Sequence, residues 1–265
     1  MTDKKESRIK RIASLIPQLT EGQLQWLEAA IRVFGSPCKS TVYSSDLIDE
    51  AAARDFGDAL QIHHSFSAES LSKDRFEYVL LKVLTLNHHR ASLAPRGNPG
   101  HDISIDGCRV SLKTQANRDI QSDVVWISKF MELGKGQWGD DPDDLIGLRE
   151  LFLAHLKQYS RILSLRCLAR APQWRYELIE IPKSLMQLAA HGELKMKLDS
   201  KQYPKPGYCY VRSPEGEELY QLYFDGGSER KLQIKNLRKC HCIPHAVWEF
   251  VTSPTRDTAE QPESS

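Results

Sequence analysis

The chain has 265 residues, enough for one large domain or two small ones with a substantial buried core. Its 36 basic and 35 acidic residues leave a net charge of +1, which excludes a protein that coats nucleic acid indiscriminately and leaves room for local basic surfaces only. No run approaches the ~20 apolar residues of a membrane span, and the charged start Thr2-Asp3-Lys4-Lys5-Glu6 is no secretory signal, so a cytoplasmic protein with no membrane association is expected. Cys38, Cys108, Cys167, Cys209, Cys240 and Cys242 are spread widely, which predicts reduced thiols rather than a disulfide framework.

In chain order, residues 1–6 are expected to be disordered. From Ile9 to Phe34, Ile12, Leu15, Ile16, Leu19, Leu24, Trp26, Leu27, Ala30 and Ile31 recur at helical spacing with a break at Pro17. That pattern predicts two helices closing at Gly35-Ser36-Pro37, with a role in packing or self-association. A further helix is predicted from Ser45 to Phe56, ending at Gly57. His63-His64 after it reads as loop or strand, where adjacent side chains face opposite sides and one metal site cannot use both. Ser72 to Leu86 carries the next helix, with Phe76, Val79, Leu80, Val83 and Leu84 as its buried stripe. Glu77 lies beside that stripe, so its carboxylate points inward and needs a partner, Lys73 and Arg75 being the local options. Leu93 to Asn98 is a loop.

The stretch from Pro99 to Thr114 holds the strongest local signal. Alternating apolar and polar residues flank Asp106-Gly107, a pair suited to the positive φ angles of a type I′ turn, and predict a β-hairpin. With a two-residue loop, Ile105 faces Cys108, Ser104 faces Arg109, Ile103 faces Val110 and Asp102 faces Ser111. Ile103, Ile105, Val110 and Leu112 then share one sheet face, and Asp102, Ser104, Arg109, Ser111 and Lys113 the other. Directly opposed residues lie ~5 Å apart and diagonal ones ~7 to 8 Å, which lets Asp102 and Lys113 reach one metal-bound water or phosphate. Gln115 stays on that face if the strand continues, either orienting water or phosphate or serving as a plain strand-end polar group.

Val124 to Ile127 is a predicted strand, followed by a loop from Ser128 to Gly136 whose Lys129 and Lys135 suit a phosphate backbone. Pro142 to Tyr159 is a helix with Asp141 as its cap and Asp143 and Asp144 complementing its positive end, and His155 reads as a core-edge residue. Ile162 to Leu168 and Trp174 to Ile181 are strands, and Pro182 opens a helix ending near Gly192. Four arginines between Arg161 and Arg175 stand without an acid; they suit phosphate contacts, or Arg166 pairs with Glu177 or Glu180. Tyr208 to Arg212, Leu219 to Phe224 and Arg230 to Ile234 form the last β region, with a second hairpin at Asp225-Gly226-Gly227. There Lys231, Gln233 and Lys235 alternate with Leu232 and Ile234, giving either a solvated edge or, with Arg230, a nucleic-acid surface in which lysine meets phosphate or guanine and glutamine meets adenine. Cys240, Cys242 and His245 have poor zinc spacing. Residues 253–265, rich in Pro, Ser, Thr and Glu, are expected to be disordered.

At the first hairpin the chain resembles the PD-(D/E)XK nuclease superfamily, in which an Asp on one strand and an acidic-X-Lys on the next form a Mg²⁺ site. Asn98-Pro99-Gly100-His101-Asp102, Glu180-Ile181-Pro182-Lys183-Ser184-Leu185, Pro204-Lys205-Pro206-Gly207-Tyr208, and Asp225-Gly226-Gly227 with Lys231-Leu232-Gln233-Ile234-Lys235 resemble its type II restriction endonucleases. The resemblance spans most of residues 15–250. It implies an α/β (α+β) fold with a mixed central sheet flanked by helices and carrying β extensions. One endonuclease domain over 7–252 follows, divided into a helical part (7–70), a catalytic core (71–182) and a DNA-contacting part (183–252).

The implied activity is Mg²⁺-dependent cleavage of double-stranded DNA leaving 5′-phosphate, at a G·C-rich palindrome such as CCCGGG, by a homodimer accompanied by a DNA methyltransferase. Asp102 is then the principal metal ligand, Leu112 adds its carbonyl, and Lys113 orients the attacking water. Ser111 stands where the superfamily has Asp or Glu, and Glu77, on the helix before the hairpin, maps to the missing acid. A non-catalytic DNA-binding relative and a mismatch-repair-type nickase are the alternatives.

Overall fold

The computed structural model describes residues 2–95, 97, 100–134, 136 and 138–252. Lys135 and the tail at 253–265, for which the sequence carries expectations, lie outside them.

The chain starts with α1 (Thr2–Leu15) and α2 (Glu21–Phe34), joined by a short 3₁₀ turn at Ile16–Gln18. Residues 2–6, expected loose, are part of α1; a Glu6–Lys10 pair one turn apart at 3.0 Å supports that end. Thr20 and Gln23 form a reciprocal capping box at the start of α2. Strand β1 (Cys38–Val42) leads to α3 (Glu50–Phe66), which Asp49 caps. This helix runs through Gly57 instead of ending there, because the glycine lets Cys38 and Trp248 pack against its backbone; an added Cβ would stand 2.9 Å from Cys38 Sγ. His63 and His64 therefore lie in its last turn rather than on a strand. His64 is buried, stacked on Trp174 and bonded to the Tyr176 hydroxyl at 2.8 Å. Helix α4 (Lys73–Leu86) follows with Ser72 as its cap.

Short β2 (Ala91–Leu93) pairs with β3 (Ile103–Ile105), and β3 turns back into β4 (Cys108–Gln115) in the expected register, with φ of 48° at Asp106 and 88° at Gly107. Strand β5 (Val124–Glu132) is longer than expected: Lys129 lies on it and not in a loop, because pairing with a later strand continues to Glu132. Helix α5 (Asp144–Leu156) begins later than its acidic signal suggested. Asp141 spends its carboxylate on the Asp143 amide at 3.0 Å, and Asp144 on that of Gly139 at 2.7 Å, so neither caps the helix proper.

The chain continues with β6 (Arg161–Ala169), β7 (Gln173–Glu180), α6 (Lys183–Gln187), β8 (Glu193–Met196), β9 (Gly207–Arg212), β10 (Glu218–Asp225), β11 (Lys231–Arg238) and β12 (Ile243–Val251).

Two sheets result. The larger has the order β1-β12-β7-β6-β4-β3-β2, mixed because β4 and β6 run parallel; the smaller is β5-β11-β10-β9-β8, antiparallel throughout. Helices α3 and α4 bury Phe56, Leu60, Phe76 and Leu80 against the face of the large sheet bearing Ile103, Val110, Leu112 and Leu163. Its other face, with Ile162 and Ile179, packs on α5 and on the apolar side of the small sheet. Arg166 ties the sheets together. Fully buried on β6, it pairs with Glu177 and donates to the carbonyls of Gln121, Ser122 and Val124 at the entrance to β5. The other arginines of that cluster are similarly committed. Arg161 pairs with Glu180 and Asp46, Arg175 with Glu249, and Arg170 donates to the Ala116 carbonyl. All six cysteines are free. No helix among the described residues is long and apolar enough to cross a membrane.

Candidate active site

The hairpin end of the large sheet opens into a cavity of about 480 Å³, walled by Asp102, Ser111 and Lys113, by Lys73 of α4, by Phe130 and Glu132 of β5, and by Leu151 and His155 of α5. Alternation places the charged groups there: Val110 and Leu112 face the α3–α4 core, so Ser111 and Lys113 must face the other way. Gly100 lets α5 close over the entrance, because a Cβ there would meet Gln158 Oε1 at 2.3 Å.

Asp102 is fixed by ladder bonds on both sides, its N–H donating to Val110 O at 3.0 Å and its carbonyl accepting Ala94 N at 2.9 Å. Its Oδ2 accepts the Leu112 N–H at 2.6 Å and the Ser111 hydroxyl at 3.3 Å, and its Oδ1 accepts Lys73 Nζ at 2.6 Å. Lys113 Nζ donates to Ser111 Oγ at 2.9 Å and lies 5.0 Å from the centre of the Phe130 ring. The Ser111 hydroxyl thus stands between acid and amine, linking two groups that the hairpin brings to one side. Glu77, like Gln115, is not among the residues lining the cavity, and it joins the cluster only through Lys73, whose Nζ is 3.1 Å from its Oε1.

Burial works on every one of these groups. It raises the Asp102 carboxyl, but Lys113, Lys73 and the Leu112 amide outweigh it, and the group sits below the usual carboxylate range. Burial raises Glu77 against the pull of Lys73. It would lower Lys73, yet the two acids hold that ammonium above its ordinary value. Lys113 is pushed down to about 8 by burial, opposed by Asp102 and reinforced by Lys73. His155 is pushed down to about 4 by burial and then by Lys113. Such a concentration of perturbed groups in one cleft marks a functional site.

The other residues singled out in the sequence divide. Gln115 is not among the residues lining this cavity; its Oε1 accepts Arg166 Nε at 2.8 Å in the buried link between the sheets. Lys129 is exposed and paired with Glu132 at 2.9 Å. Arg230 occupies the turn before β11 with φ of 40°. On β11, Leu232 and Ile234 face the core, while Lys231 and Lys235 lie half-buried on the opposite side and Gln233, between them, is buried beneath Trp126 and Asp225. Each is partnered within the chain: Lys231 by Glu229 at 3.0 Å, Gln233 by Asp225 at 3.0 Å, and Lys235 over the Tyr223 ring at 3.9 Å. Two participants are not evident from sequence. Lys73 registers there only as a local partner for Glu77, its signal being the four-residue spacing on one helix face. His155 reads as core edge because its apolar neighbours conceal that its ring borders the cavity.

A mixed sheet flanked by helices, with a half-buried acid just before one hairpin strand and a lysine two residues past a hydroxyl on the next, defines a nuclease of the restriction-endonuclease-like class. The model of the SmaI family, type II site-specific deoxyribonucleases, matches residues 12–250. The type II restriction enzyme SmaI of Serratia marcescens is 45% identical over 255 residues, covering 94% of this chain and 99% of that protein. The chain belongs to the SmaI family of type II site-specific deoxyribonucleases. No solved structure matches it.

The donor set fits a hard divalent cation. Lys73 places a positive charge between the carboxylates of Asp102 and Glu77, and such cations take oxygen ligands in that kind of setting. In a β-strand the N–H and C=O of one residue point to the same edge, so the Leu112 amide that reaches Asp102 sends its carbonyl the same way. Among the described residues no group of three or more His, Cys, Asp and Glu side chains is placed to hold a metal ion.

Proposed function

We propose that this enzyme hydrolyses double-stranded DNA with Mg²⁺, at a G·C-rich palindrome such as CCCGGG, leaving 5′-phosphate. It acts as a homodimer in the cytoplasm, beside a DNA methyltransferase that protects the host sites, with residues 7–252 working as one catalytic unit. The observation that carries this reading is the shared position of Lys73 between Asp102 and Glu77, with Lys113 held against the same acid through Ser111.

Asp102, Glu77 and the Leu112 carbonyl would hold Mg²⁺, which when bound supplies Lewis-acid polarisation of water and phosphate and neutralises developing charge. Lys113 orients the attacking water and stabilises negative charge on the phosphate as the water oxygen bonds to phosphorus and the 3′-oxygen leaves. A pKa near 8 suits that duty, since the amine changes protonation close to working pH. Ser111 accepts from Lys113 and donates to Asp102, keeping both in register. Lys231, Gln233 and Lys235 on β11, Arg230 in the turn before it, Lys129 on β5, and Lys135, which lies outside the described residues, are the proposed DNA contacts, supported by the shared parity and partial exposure of Lys231 and Lys235. SmaI's 45% identity supports the cleavage chemistry and the choice of site.

Plasmid incubated with Mg²⁺ or with EDTA, beside a Lys113→Ala variant, tests the reading. Discrete double-strand fragments that need both the metal and Lys113, with ends mapping to one palindrome on sequencing, are expected. Nicks alone, or cutting in EDTA, would refute it.

A further inference from the structure

The sequence allows two roles for the N-terminal helices, and the structure withholds one of them. Residues 3–18 are all exposed, and α2 contains no buried residue. Isolated helices of ~12–15 residues are marginal in water and owe their order to packing of an apolar face. Helix α2 packs on α3 and half-buries Leu24, Leu27 and Ala30, yet Ile9, Ile12, Leu15, Ile16, Ile31 and Phe34 remain 38–60% exposed, and Trp26 is 63% exposed with Phe66 against its edge. At roughly 100 Å² each, these side chains leave about 700 Å² of apolar surface in water. Summed over both helices, that approaches the ~800 Å² per partner of a standard interface.

We propose that α1 and α2 form the self-association surface of this chain, the occupant of each apolar face being the same helices of a second copy. Three observations favour a second copy. The area matches what a stable dimer buries. Helix α1 carries five basic residues against two acidic, whereas α2 carries Glu21 and Glu28 against Arg32, so α1 of one protomer complements α2 of the other in a twofold contact. The segment at 253–265 contains no large apolar side chain and is no match for an apolar face. The proposal gives the homodimer of the preceding section its interface and rests on that reading only for the benefit of twofold symmetry on palindromic DNA.

Sedimentation analysis of the purified chain without DNA or metal, beside an Ile12→Glu/Phe34→Glu double variant, tests it. Both positions are exposed, so the fold should survive, and far-UV circular dichroism with urea unfolding checks that it does. The wild type should sediment as a dimer, and the double variant as a monomer with dissociation raised at least about 100-fold. A monomeric wild type, or a variant that stays dimeric, would overturn the proposal. Unchanged association with weakened plasmid binding would also overturn it, assigning the basic α1 to DNA instead. Because this readout needs no cleavage, loss of the nuclease reading and loss of the interface remain distinguishable.

Discussion

Lys113 and Lys235 both sit on strands whose alternate residues fill the core, yet the two sheets use them differently. Lys113 is buried beneath the Phe130 ring, pushed down to about 8 and locked to Asp102 through one hydroxyl. Lys235 stacks on Tyr223 and is lowered by partial burial, with Asp225 opposing. The large sheet removes water from its charged groups and fixes them, as chemistry on a phosphate requires. The small sheet keeps its amines near solvent and in loose pairs, as suits a surface that must exchange partners. Preorganisation is therefore concentrated at one end of the molecule, and the effects of substitution should fall off from there.

The sharpest break would come at the hairpin. Asp102→Asn or Lys113→Met should lower cleavage at least about 10³-fold while DNA affinity measured in Ca²⁺ stays within a few fold. Equal losses of binding would erase the contrast between the sheets. Glu77→Gln should weaken divalent-ion affinity about 10–100-fold by calorimetry, with little change in DNA binding when the ion is saturating.

The buried amine also leaves a signature in stability. Folding lowers the Lys113 pKa from 10.5 to about 8, so the unfolded chain binds more protons between those values. Its contribution to wild-type stability should rise with pH across that window by up to about 3 kcal/mol. Lys113→Met should lack the rise, as urea unfolding at about pH 7 and about pH 10 would show. The smallest effect belongs to the small sheet: Lys235→Ala should weaken binding evenly across DNA sequences and reduce the slope of log affinity against log salt by about 1.

What could be read from the residues follows the range of the signals. The Asp106-Gly107 turn and the helix from Ser72 to Leu86 are local signals, and the structure keeps both, whereas the polar face read along Lys231–Lys235 loses Gln233 to burial. The neighbours of β12 are not local: Val247 meets Thr41 on one side and Glu177 on the other, and nothing near Val247 announces either. The same holds for Gln115, whose position two residues beyond Lys113 suggested the reactive face until Arg166, from a different strand, claimed its amide. Lys73 belongs with these. Its place between two acids depends on how α4 lies against the hairpin, a packing decision made by Phe76, Leu80 and Leu84.

That placement of Lys73 carries a consequence for the idle enzyme. The ammonium balances the carboxylates of Asp102 and Glu77 in the ion-free protein, so chelating an ion held there should lower the melting temperature only by that ion's own binding free energy. On the proposed reading, loading would be an exchange in which the Lys73 ammonium gives way as a divalent cation enters. Lys73→Met should accordingly bind divalent ions more tightly than the wild type does. On the same reading, the amine would hold the acids closed to a weakly bound ion until a phosphate comes to share it.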